Sequence, residues 1–130
     1  MVNKVVLVGN LGRDPELLHT QSGQPVARLS VATTAVWTKD GERQRRTEWH
    51  RVVVWGAAAE RLTAQLRKGV LVYVEGRLRT RSFTGADNTE QVRTEIHSQR
   101  LMSLRSPMMR DAAYAAAAAD GLRGGDHVPF

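Results

Sequence analysis

The chain has 130 residues, no cysteine, and 19 Lys+Arg against 13 Asp+Glu, a formal net charge of +6. Its length fits one ordinary domain with a core of its own. The missing cysteines exclude structural disulfides and thiolate metal sites and point to a reducing compartment.

The opening MVNKVVLVGNLGRDPE holds a short apolar run that soon meets Asn10 and Arg13. That is too brief for a signal segment or a membrane span, so a cytoplasmic protein without a membrane partner is expected. Residues 3–11 are β-branched and apolar, end at Gly12, and precede an Asp14-Pro15 turn; they predict a first strand. Ser22-Gly23 marks a second turn, and residues 25–37, rich in Val, Thr, Ala and Leu, predict a second strand closed by Trp37. Lys39-Asp40-Gly41-Glu42 forms a polar hairpin tip followed by the basic Arg43, Arg45 and Arg46. The third strand is TEWHRVVVWG at 47–56.

The period then changes. In AAAERLTAQLRK at 57–68, Ala58, Leu62 and Leu66 fall at i, i+4 and i+8, and Gly69 sits where a helix C-terminus accepts a left-handed residue. Residues 70–83 predict a fourth strand bent at Gly76, 85–88 a turn, and 91–104 a fifth strand. The order β-β-β-α-β-β is the pattern of the OB-fold, an all-β five-stranded Greek-key barrel with one α-helix between strands three and four. An SH3-like barrel and an open α+β sheet are the competing architectures.

Residues 1–106 form the predicted domain and carry 17 Lys+Arg against 10 Asp+Glu, a net of +7. Such a body anticipates a polyanion, nucleic acid before an anionic membrane surface. Residues 107–130, PMMRDAAYAAAAADGLRGGDHVPF, hold the other 2 and 3 and are Ala- and Gly-rich without alternation. They predict a mobile tail, with at most a short helix over 111–119.

Two strands combine aromatic and guanidinium groups on one face. Alternation sends Trp49, Arg51, Val53 and Trp55 one way and His50, Val52 and Val54 the other. In GRLRTRSF at 76–83, Arg77, Arg79, Arg81 and Phe83 share a face. Three like charges in a row weaken a strand unless an anion lies across them. Single-stranded nucleic acid fits both features: bases stack on rings for about 1–3 kcal/mol each while phosphates meet the cations. Trp49 and Trp55, roughly 20 Å apart at ~3.3 Å per residue, would make two separate platforms. The bland alternatives are tryptophans buried in the core or in a subunit interface, and arginines on a solvated face near Glu48, Glu75 and Glu95.

Catalysis finds no foothold. Asp14 and Glu16 flank a turn proline, Asp40 and Glu42 sit on a hairpin tip, and the four histidines are scattered. Metal-assisted phosphodiester cleavage needs clustered ligands, and no Walker or His-Glu-x-x-His motif occurs. Neither an enzyme, a metal nor a cofactor is expected.

NKVVLVGNLGRDPE at 3–16, TEWHRVV at 47–53 and RKGVLVYVEGRLRTRSF at 67–83 closely resemble the bacterial single-stranded DNA-binding protein (SSB) family, over about residues 1–105. The resemblance implies an OB-fold homotetramer that binds and protects single-stranded DNA without sequence preference in replication, recombination and repair, within the cytoplasm at the nucleoid. It implies that Trp37, Trp49, Trp55 and Phe83 occupy base-stacking positions; position 55 is commonly Phe and position 83 commonly Trp in the family. It places Arg51, Lys68, Arg79 and Arg81 at phosphate contacts and His50 at a subunit interface. Family members carry an acidic tip that docks replication and repair proteins. Here Asp126, Pro129 and Phe130 match that tip while most of its acidic residues are absent, which predicts weakened or altered recruitment and a specialised or mobile-element paralogue. The alternative is a primosome-like OB interaction module whose aromatics lie in protein interfaces.

Overall fold

The computed structural model describes residues 1–104. They form six strands and one helix: β1 (Val5–Leu11), β2 (Glu16–His19), β3 (Pro25–Lys39), β4 (Glu42–Trp55), α1 (Ala57–Gln65), β5 (Leu71–Thr84) and β6 (Glu90–Ser103). The predicted tail from 107 onward, with its helix over 111–119, lies outside the described residues.

β3 and β4 are one long antiparallel hairpin running from Val26 opposite Trp55 to Lys39 opposite Glu42. Its two-residue tip has positive φ at both positions, 52° at Asp40 and 76° at Gly41, the turn whose twist matches that of the strands. β5 and β6 form a second antiparallel hairpin, and β1 pairs antiparallel with β5. The hairpins meet where β4 runs parallel to β6, at Val52 opposite Ile96 and Val53 opposite His97. Asn10 opposite Ala32 and Leu11 opposite Val31 join β1 to β3 and close the barrel. The circuit is β1-β3-β4-β6-β5, the OB-fold connectivity, with the helix between the third and fourth barrel strands.

Inside lies one core, in which Leu11, Val31, Val52, Val72 and Val74 are almost wholly buried. α1 plugs the barrel with Ala59 and Leu62, three residues apart on one helical face, and Leu66 just past its end joins them in the core. The expected stripe began one residue earlier, at Ala58, which packs only against the edge of the core.

Two boundaries differ from expectation by three residues or more, and one strand was not expected. The helix stops at Gln65 rather than 68, because Leu66 turns extended (φ −96°, ψ 150°) while its side chain stays buried. β4 begins five residues before 47; Glu42–Arg46 are all polar and, Gln44 apart, exposed, so no apolar alternation marks them, and hairpin pairing alone makes them strand. β2, unpredicted, pairs along β3 from Glu16 opposite Arg28 to His19 opposite Pro25. Four residues of ELLH carry no readable period.

The expected bend at Gly76 is a register shift between Glu75 and Gly76 in the β5–β6 ladder. A Cβ at Gly76 would stand 2.9 Å from the carbonyl carbon of His97 and closer still to its oxygen. Only glycine allows that approach, which presses β6 against β5 where His97 begins the outer surface.

Candidate nucleic-acid interface

β4 presents its alternate side chains outward with unequal burial. Trp49 is 61% exposed, Trp55 42% exposed and Arg51 exposed between them, whereas Val53 is buried at 6%. The indoles therefore lie open on the barrel's outer surface. Val53 belongs to the same face but forms the floor between them, so the VVV run is buried on both sides of the strand.

β4 and β6 pair only around Val52 and Val53. Beyond that point a recess opens, lined by Trp49, Arg51, Leu78 and Arg93 among others. A second recess gathers Arg13, Arg28, Arg51, Val53, Arg93 and Glu95. A third, of about 420 Å³, holds Leu18, Arg28, Val53, Trp55, Arg79, Arg81, Glu95 and His97. Shared lining residues join the three into one groove from Trp49 to Trp55, with arginines along both sides.

Of the sequence-derived candidates, Trp49, His50, Arg51, Trp55, Arg79 and Arg81 line this groove. Phe83 stands further out on the β5–β6 hairpin, opposite Gln91. The Arg93 guanidinium lies 4.7 Å from its ring centre and that of Arg81 5.9 Å, within cation–π range. At the tip beyond it, Asp87 accepts hydrogen bonds from the Thr89 hydroxyl and backbone N–H, which hold its carboxyl below the usual carboxylate range. Trp37 is half-buried near the tip of the other hairpin, opposite Gln44, and lines none of the three recesses. Lys68 is also apart, on the turn after α1, where its backbone N–H donates to Asp14 Oδ1 at 2.7 Å. His50, half-buried, borders the first recess beside Trp49, and its Nε2 lies 2.8 Å from Thr33 Oγ1. Asp126, Pro129 and Phe130 lie outside the described residues.

The arginine row of β5 is not uniformly free. Glu95, 5% exposed, takes Arg81 in a two-point pair, Nε to Oε1 at 3.1 Å and Nη2 to Oε2 at 3.3 Å. Arg28 pairs with Glu16 at 3.1 Å. Arg13, Arg51, Arg79 and Arg93 also line the groove, and among the described residues none of them has a carboxylate partner. Arg79 and Arg51 thus keep the free cationic heads that their positions suggested, whereas Arg81 is already balanced.

The model of the single-strand binding protein family matches residues 2–104, the whole barrel. The chain belongs to that family. It is 48% identical over 104 residues to a single-stranded DNA-binding protein of Xanthomonas axonopodis pv. citri (strain 306), covering 79% of this chain and 58% of that one. With the single-stranded DNA-binding protein of Xylella fastidiosa (strain Temecula1) the identity is 47%, covering 79% and 63%. The matched region therefore spans about six-tenths of the length of these curated relatives. Among solved structures, a Plasmodium falciparum SSB in complex with ssDNA superposes with a TM-score of 0.71 at 32% identity, covering 81% of this chain and 96% of that one.

Arg93, Glu95 and His97 were not singled out together from sequence, although the last strand holds them at i, i+2 and i+4 on one face. Reading that strand's alternation would have found them. Arg13 and Arg28 carry no local signal, because only barrel closure brings them to the groove. Among the described residues no group of three or more His, Asp or Glu could hold a metal ion, and no helix is long and apolar enough to cross a membrane.

Proposed function

We propose that this protein binds single-stranded DNA without sequence preference and shields it during replication, recombination and repair. One observation carries the reading: Trp49 and Trp55 lie open at the two ends of a groove lined by unpaired arginines, where core tryptophans would be sealed inside. Bases stack on the indoles, and phosphates follow Arg51, Arg79 and Arg93. Stacking does not depend on base identity, since every base has a flat apolar face. Phe83 extends the path along the β5–β6 hairpin with Arg93 over its ring. Trp37 and Lys68, outside the recesses, serve a strand that continues around the barrel.

The reading extends to assembly. Val6 and Val8, about half exposed, make an apolar row on β1, a surface that a second copy can cover, and His50 with its Thr33 bond lies at a subunit boundary in the homotetramer. Residues 1–106 act as the binding domain and 107–130 as the tail, whose Asp126, Pro129 and Phe130 contact replication and repair proteins in weakened or altered form. The work is non-catalytic and takes place in the cytoplasm at the nucleoid.

Affinity for a labelled oligo-dT, measured across a salt series, tests the proposal. Each neutralised phosphate contributes about −0.7 to the slope of log K against log salt for single strands, so four unpaired arginines give roughly −3 per barrel. A duplex of the same length should bind far more weakly. Equal affinity for duplex and single strand, or a flat salt dependence, would overturn the reading.

A further inference from the structure

At the third recess the Trp55 indole is not held by packing alone. Its Nε1–H donates to His97 Nδ1 at 3.3 Å, and the two rings stand 6.2 Å apart, tilted by 32°. The other imidazole nitrogen, Nε2, is sealed from solvent without a hydrogen-bond partner and faces Glu95 Oε1 at 3.5 Å. Glu95 is in turn anchored by Arg81. The contacts therefore run in a line from Arg81 through Glu95 and His97 to the edge of an indole that is otherwise open to solvent.

We propose that His97 is the positioning residue for Trp55: it holds the indole by its edge so that the ring's face stays presented to a base. The proposal rests on the single-strand reading of the groove. The hydrogen-bond pattern fixes the tautomer. Nδ1 must accept the indole proton, so neutral His97 carries its own proton on Nε2, directed toward Glu95. Imidazolium carries a proton on both nitrogens and has no acceptor left, so protonation breaks the tether even as it improves the attraction to Glu95. The platform is thus preorganised only while His97 is neutral. Holding a ring in its binding orientation improves affinity by removing the cost of ordering it during association. Gly76 supports the geometry from behind, since its lack of a Cβ lets the His97 backbone lie against β5.

The other charged or titratable groups around this recess are His19 from β2, Arg28 from β3, and Arg79 and Arg81 from β5. Arg77 stands opposite His97 in the ladder. His19 is the other imidazole lining this recess, so the experiment is done in a His19→Gln background.

Protein labelled with ¹⁵N at the indoles gives three resonances, one for each tryptophan, assigned by Trp→Phe variants. The expected result is that the Trp55 N–H resonance moves on acidification and shifts in His97→Leu. In His97→Gln, whose amide oxygen accepts at any pH, it should stay in place. Affinity for oligo-dT at neutral pH should fall about three- to tenfold in His97→Leu and stay within twofold in His97→Gln. A Trp55 resonance indifferent to both pH and His97→Leu would overturn the tether. Equal affinity for wild type and His97→Leu, or Gln failing alongside Leu, would overturn the positioning role. Absence of oligo-dT binding by the wild type would instead overturn the reading of the groove, with the resonance still deciding whether the tether exists.

Discussion

The six-membered ring of Trp49 lies directly on the backbone of Gly12. A Cβ at residue 12 would stand 2.7 Å from Trp49 Cη2, 3.3 Å from Cε3, and closer still to Cζ3. Glycine just after β1 therefore leaves the seat on which one platform rests, one face covered by the chain and the other free. Gly12→Ala should dislodge the ring while barely touching the core. Single-strand affinity should drop by up to the ~1–3 kcal/mol that one stacked base is worth, with Tm nearly unchanged. Unaltered affinity would show that this seat does not matter for binding.

Truncating either exposed indole should have a similar effect. Trp49→Ala and Trp55→Ala are each expected to weaken oligo-dT binding by ~1–3 kcal/mol, with little change in salt slope because no cation is lost. Isothermal titration of both variants checks this. If both bind like wild type, these rings are not stacking platforms.

Arg79 and Arg81 neighbour each other on one face but should behave differently. Arg79 lacks a carboxylate partner among the described residues, so Arg79→Ala should reduce the salt slope by about 0.7 and leave Tm in place. Arg81→Ala leaves the carboxylate of Glu95 buried without its two-point partner. Since Arg81 is itself half exposed, water can take over part of its role, and the expected loss of stability is about 1–3 kcal/mol. Adding Glu95→Gln should recover much of it. Identical thermal melts for Arg79→Ala and Arg81→Ala would contradict this division of labour.

A pH effect is expected at the barrel's other edge. Lys4 Nζ sits 2.9 Å from Glu75 Oε1, and the Tyr73 hydroxyl donates to Glu75 Oε2 at 3.1 Å. The hydrogen bond from Lys4, followed by that from Tyr73, holds the Glu75 carboxyl below its ordinary 4.5, and the hydrogen bond that Lys4 donates to Glu75 raises Lys4 above its ordinary 10.5. Glu75's contribution is present above 4.5 and is lost as pH falls through its depressed folded value; that of Lys4 is complete below 10.5 and is lost as pH rises through its elevated folded value. Glu75→Gln should accordingly flatten the acid limb of the Tm–pH curve. An acid limb of unchanged steepness would exclude this pair as its source.

The barrel was legible because its strands alternate and its one helix interrupts them at a single place. Val72 and Val74 lie on the inner face of the expected fourth strand, and of the expected helical stripe Ala58, Leu62 and Leu66 the two leucines are buried while Ala58 packs at the core's edge. β2 was invisible because Glu16–His19 has no period of its own and pairs only where Arg28 to Pro25 pass beside it. At the site, Trp49, Arg51 and Trp55 could be read from one strand, since a single alternation sets their direction. The Arg81–Glu95 pair could not: it joins two strands diagonally, and the β5–β6 register depends on the shift at Gly76. His97 meets Trp55 only because β4 and β6 run parallel for two residue pairs, a contact between segments 42 positions apart.

Intrinsic tryptophan fluorescence during titration with oligo-dT tests the central claim most directly. If Trp49 and Trp55 stack on bases, emission should be strongly quenched in proportion to occupancy, and the remaining quench should shrink when either is replaced by phenylalanine. Tight binding of the oligonucleotide with undiminished emission would mean that DNA passes elsewhere on the barrel.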